Sequence, residues 1–125
     1  MSDILITNPI YFTVDVIEND DKLPSLKLTC RIKNEGLKGD FDIRFNFWVS
    51  CSDWDLFATG KSRELSDLSN FSRIEIISDN SDLYFVINPV FSTFNVSLNS
   101  ELKIKISEND LNCILNQFLN YPKWW

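Results

Sequence analysis

The run Phe41-Asp42-Ile43-Arg44-Phe45-Asn46-Phe47-Trp48-Val49, followed after Ser50-Cys51 by Ser52-Asp53-Trp54-Asp55-Leu56-Phe57, decides the fold of this chain. Its first half alternates with period two. Phe41, Ile43, Phe45, Phe47 and Val49 share one face of an extended strand, while Asp42, Arg44, Asn46 and Trp48 share the other. Its second half breaks that rhythm. Ser52 is placed to cap a helix, with Asp55 three positions later. Trp54, Phe57, Ala58, Leu65 and Leu68 are then expected along one helical face. Gly60 weakens that helix by about 1 kcal/mol and is expected to split it. A half-buried strand leading into a helix requires an apolar partner layer for both.

The same alternation extends in both directions. Phe12, Val14 and Val16 oppose Tyr11, Thr13, Asp15 and Ile17. Leu26, Leu28, Cys30 and Ile32 oppose Lys27, Thr29, Arg31 and Lys33. Downstream, Phe94, Val96 and Leu98 form one set and Leu102, Ile104 and Ile106 another. The pieces 73–78 and 83–88 are apolar on both faces and read as central strands, covered by a helix. Glu18-Asn19-Asp20-Asp21 with Pro24, Asn34-Glu35-Gly36, Asp79-Asn80-Ser81-Asp82 and Asn99-Ser100 are turn signals. Connections this short favour antiparallel hairpins. A last helix begins at Ser107-Glu108-Asn109-Asp110, where Ser107 caps and Asp110 completes a box-like arrangement. Leu111, Ile114, Leu115, Phe118 and Leu119 form its stripe, and Pro122 stops it. The expectation is an α+β fold: one domain, 1–125, with a mostly antiparallel sheet of about six to seven strands. A mid-chain helix and a C-terminal helix pack on that sheet.

Composition narrows the function. The chain has 125 residues, with 12 basic and 18 acidic side chains and no histidine, for a net charge of −6. A nucleic-acid binder needs a basic footprint, and so does a protein that binds anionic lipid, so neither partner is expected. The missing histidine excludes a Ser-His-Asp or Cys-His site within the chain and removes the commonest zinc ligand. No apolar run is long enough to span a membrane, and the first residues do not resemble a secretory signal, so a cytoplasmic location is expected. Cys30, Cys51 and Cys113 are far apart and suit a reducing compartment. Cys30 and Cys113 fall on apolar faces and are expected in the core, with Cys51 exposed. The triplets Asn95-Val96-Ser97 and Asn70-Phe71-Ser72 carry no weight without a signal sequence.

Asp40 with Asp42 and Asp53 with Asp55 are the two carboxylate pairs that could hold a divalent cation. Asp53 and Asp55 are better explained by a first helical turn, where carboxylates complement the helix dipole. No metal or cofactor is expected, and no catalytic role is assigned. Asp20, Asp21, Asp79 and Asp82 stand in turns, either as solvated loop tips or as a negative patch for a basic surface. Trp48 points outward by the alternation. It either lies beneath a helix or anchors an interface. Tyr121, Trp124 and Trp125 are expected to dock back onto the body.

The order of elements resembles the small acidic immunity proteins that bacteria encode beside polymorphic or contact-dependent toxins, the WapI-like group among them. Strand 41–49, the segment Ser52-Asp53-Trp54-Asp55-Leu56-Phe57, several short strands from Ser72 to Ile106 and the helix Leu111–Leu119 carry that likeness. The resemblance implies a cytoplasmic protein that is not an enzyme and that binds and blocks one cognate toxin domain. A basic nuclease cleft is one target that an acidic inhibitor can occupy. Asp20, Asp21, Asp42, Trp48, Asp53, Asp55, Asp79 and Asp82 are the candidate partner-binding residues. Two other functions fit the composition. Trp48, Trp54, Tyr84 and Trp125 could line an aromatic cleft for a small molecule or carbohydrate. Asp40 and Asp42 could serve a hydrolase.

Overall fold

The computed structural model describes residues 2–34, 40–68, 72–92 and 97–125, excluding the side chains of 91, 92 and 97–99. The chain is α+β, and its strands form two principal antiparallel sheets rather than one. Strands β1 (Ile4–Ile6), β2 (Tyr11–Asp20), β3 (Ser25–Asn34) and β4 (Phe41–Ser50) make the first sheet, in chain order. Helix α1 (Cys51–Ala58) follows without a loop. Strands β5 (Glu64–Ser66), β6 (Arg73–Asp79) and β7 (Asp82–Asn88) continue into a second sheet, ordered β10-β7-β6-β5. The remaining strands are β8 (Val90–Ser92) and β9 (Ser97–Asn99), a separate ribbon, and β10 (Leu102–Ile106). Helix α2 (Glu108–Leu119) closes the chain. The described residues thus hold ten strands, more than expected. Two of the extra ones, β1 and β5, are three-residue strands too short to show a period.

The inward faces match the alternation. Leu26, Leu28, Cys30 and Ile32 are fully buried, as are Phe12, Val14 and Val49, with Phe45 and Phe47 nearly so. Each such side chain contributes roughly 1.5–3 kcal/mol by leaving water. Their cover is the second sheet. Phe12 of β2 meets Phe85 of β7 edge to face at 5.4 Å, and Leu65, Ile74, Ile76 and Ile87 join the same core. The central strands β6 and β7 are therefore covered by a sheet, not by a helix. Period two is identical for one large sheet and for two facing ones, so alternation could not separate them. Phe94, Val96 and the turn residues Glu35 and Gly36 lie outside the described residues.

Helix α1 starts two residues earlier than the sequence suggests. Ser50, the last residue of β4, is already extended (φ −72°, ψ 149°), and its hydroxyl accepts from the Asp53 amide at 3.0 Å. Ser50 is therefore the cap in place of Ser52. The Cys51 amide donates to the Pro24 carbonyl at 2.8 Å, which ties the β2–β3 turn to the helix. Gly60, at φ +76°, ends the helix rather than splitting it: its amide reaches back to the Phe57 carbonyl. Leu65 consequently belongs to β5, and Leu68 is exposed. Helix α2 has the expected capping box between Ser107 and Asp110. Ile114 and Phe118 are buried, Leu111 and Leu115 pack against the core, and Leu119 is exposed.

The two helices pack on each other. Helix α1 also touches β4 and β5, and α2 touches β1 and β10. Trp54 is their shared pin. It is fully buried, its ring lies 4.9 Å from that of Phe118, and its Nε1 donates to the Phe118 carbonyl at 3.1 Å.

Candidate functional site

The candidate partner-binding residues occupy four separate places. Asp42 lies on the outer face of the first sheet, where β3 and β4 set Lys33 opposite Asp42 and Arg31 opposite Arg44. Two guanidinium groups face each other in that register, and Asp42 offsets the repulsion with a two-pronged bond. Arg31 Nε donates to its Oδ1 at 2.9 Å and Arg31 Nη2 to its Oδ2 at 2.6 Å. The hydrogen bonds from Arg31, reinforced by the charges of Arg31, Arg44 and Lys33, outweigh desolvation and hold this carboxyl below its ordinary range. This face concentrates cations: Lys33 lies 4.5 Å over the Tyr11 ring, and Lys27 pairs with Glu18. Asp42 is thus committed to a mixed-charge lattice.

Asp79 and Asp82 close the β6–β7 hairpin as directly opposed residues. Lys103 and Lys105 of β10 stand 4.0 Å and 3.5 Å from them. Between them Asn80 and Ser81 both have positive φ, the geometry of a two-residue hairpin turn.

Asp55 on α1 holds the C-terminal segment. Its Oδ1 accepts from Lys123 Nζ and its Oδ2 from Trp125 Nε1, each at 2.9 Å. Tyr121 and Trp125 pack on Trp54, so the tail docks on the body, with Trp124 the more exposed ring.

Asp20 ends β2, Asp21 stands in the β2–β3 turn and Asp53 in the first turn of α1, and the Cys51–Pro24 hydrogen bond ties that turn to the helix. Asp20 shapes the turn by accepting the Lys22 and Leu23 amides on Oδ1, at 2.9 Å and 3.3 Å. Among the described residues, Asp21 and Asp53 have no ion-pair partner. Between these segments lies a groove of about 430 Å³ lined by Leu23, Pro24, Ser25, Ser50, Ser52 and Leu68, with mostly apolar atoms at its walls. Leu23 is 76% exposed and Leu68 55%. Trp48 stands close by. It is half-buried, and its amide and carbonyl are engaged by Asp67 Oδ1 and by the Leu68 amide. The segment 67–68 crosses its backbone edge. The groove was missed from the sequence, although an exposed leucine beside a proline within an acidic turn was its signal.

The aromatic set Trp48, Trp54, Tyr84 and Trp125 does not converge on one cleft. Trp54 and Trp125 pack together with ring centroids 6.4 Å apart, and Tyr84 lies under Lys103 on the outer face of the second sheet. Asp40 and Asp42 flank a concavity that also holds Arg31 and Lys33, a setting of cations rather than of metal ligands. Among the described residues no three or more His, Cys, Asp or Glu side chains are grouped to hold a metal ion. Two cysteines exchange places relative to expectation. Cys51 is buried because the helix begins at it, and Cys113 is exposed on α2. Burial raises the thiol pKa of Cys30 and of Cys51. No helix among the described residues is long and apolar enough to cross a membrane. In comparisons with protein-family models, curated proteins and solved structures, nothing matches this chain.

Proposed function

We propose that this chain is a non-catalytic immunity protein that acts in the cytoplasm by binding and neutralising a cognate, basic toxin domain. The observation that carries the reading is a pair of carboxylates, Asp21 and Asp53, that have no ion-pair partner among the described residues and stand on two segments tied by the Cys51–Pro24 hydrogen bond. Asp42, Asp55, Asp79 and Asp82 are each engaged by a cation of the chain itself. Asp21 and Asp53 thus leave negative charge available to a basic partner on both sides of the turn–helix join. Long-range attraction there speeds the encounter with a basic surface, and apolar contacts then hold the complex.

The test is co-expression with the toxic C-terminal domain encoded by the neighbouring gene. The expected result is rescue of growth and co-purification at low salt, with about 800 Å² buried on each partner. Added salt should slow association more than it speeds dissociation. Failure to form a complex at low salt overturns the proposal.

A further inference from the structure

The groove between Leu23 and Leu68 has the build of an anchor site, and its rim says what kind of anchor it takes. Resting on the reading above, we infer that it receives an apolar side chain flanked by lysine or arginine, presented by an extended segment of the basic partner. The walls are Leu23 and Pro24 from the β2–β3 turn, Ser50 and Ser52 from the start of α1, and Leu68 from the segment after β5. A cavity of about 430 Å³ is roomy enough for one large side chain with part of its backbone. The two leucines leave much of their surface in water and are the most exposed large apolar side chains among the described residues. Large apolar groups left exposed beside each other mark interaction sites in folded proteins.

Charge selects the occupant. Asp20 accepts the amide of the lining residue Leu23, Asp21 precedes that residue by two positions, and Asp53 directly follows the lining residue Ser52. An acidic segment would meet repulsion on both sides, whereas a segment with cations beside its apolar residue matches the rim. The groove is also firmly built. The two Asp20 hydrogen bonds set the turn that presents Leu23, and the Cys51–Pro24 bond fixes that turn against the helix. A preformed site loses little ordering entropy on binding.

The experiment uses the intact chain, labelled with ¹⁵N, and three capped peptides: Lys-Lys-Phe-Lys-Lys, Glu-Glu-Phe-Glu-Glu and Lys-Lys-Gly-Lys-Lys. The first should shift the amides of Leu23, Ser25, Ser52 and Leu68, and the other two should bind at least roughly tenfold more weakly. Leu23→Ser and Leu68→Ser, both exposed and harmless to folding, should each weaken the first peptide severalfold, and Leu119→Ser should not. Shifts on another face, equal shifts with all three peptides, or none at millimolar peptide overturn the inference. A peptide that binds here while the toxin domain forms no complex would refute the toxin reading and keep the groove. A toxin complex with its dissociation rate unchanged by Leu23→Ser and Leu68→Ser would do the reverse.

Discussion

The indole Nε1 of Trp125 donates to Oδ2 of Asp55 at 2.9 Å, joining residues 70 positions apart. Together with Lys123 on the other carboxylate oxygen, it fastens the chain's last residues to the first turns of α1. Burial tends to raise the Asp55 pKa, but the hydrogen bonds from Lys123 and Trp125 and the lysine's charge prevail and lower it. The folded pKa lies below the unfolded one, so the contribution to stability is complete above the ordinary carboxylate range, about pH 3.9. It disappears as pH falls through the lower folded value. Tryptophan emission followed from pH 6 to pH 2 should therefore shift to the red below about pH 4. Asp55→Asn should shift it at neutral pH and cost about 1 kcal/mol in denaturant unfolding.

Two turn positions carry backbone conformations suited to glycine. Ser81 sits at φ +70° in the β6–β7 turn, so Ser81→Gly should stabilise the chain by about 1 kcal/mol. Thermal unfolding would rise by roughly 3–5 °C. Gly60→Ala should have the opposite sign and a similar size. The added Cβ has room, its nearest neighbour being Leu115 Cδ1 at 3.8 Å, so the cost comes from φ +76° and not from a clash.

One thiol of three should react in the native state. Ellman's reagent should titrate Cys113 quickly and reach Cys30 and Cys51 only on unfolding, since both are buried with raised thiol pKa values. Cys113→Ser should abolish the fast phase.

Phe12 and Ile17 lie on the same strand and should behave differently. Phe12→Ala removes the ring that meets Phe85 across the two sheets and should cost about 3–5 kcal/mol, read as a lower urea midpoint. Ile17 is half-exposed at the bulge between Val16 and Glu18, and Ile17→Ala should stay within about 0.5 kcal/mol.

Acids already engaged by lysine or arginine should matter little to a partner. Asp21→Asn with Asp53→Asn should slow association with a basic domain severalfold at low salt, and Asp79→Asn with Asp82→Asn should change it much less. Stopped-flow association at two ionic strengths separates the two pairs.

Local chemistry was enough to identify most elements. Alternation at 26–32 and 41–49 set which side chains point inward, and the Ser107–Asp110 box set the start of α2, because periodicity and capping depend only on near neighbours. Short-range signals did not separate two facing sheets from one. A strand face needs an apolar cover, and nothing in its own sequence says whether a helix or another sheet supplies it. The same limit governed the acids. Sequence shows that Asp42, Asp55, Asp79 and Asp82 are carboxylates, but their partners Arg31, Lys123, Lys103 and Lys105 arrive by strand register or by the return of the chain's end. It also placed Cys51 and Cys113 the wrong way round: α1 begins at Cys51 rather than at Asp53 and buries that thiol, and Cys113 falls outside the Leu111, Ile114, Leu115 and Phe118 stripe of α2. The amino-acid order therefore determined the elements and their inward faces. Only the tertiary structure decided which charges are neutralised and where the groove at Leu23 and Leu68 opens, since both depend on contacts between residues remote in the chain.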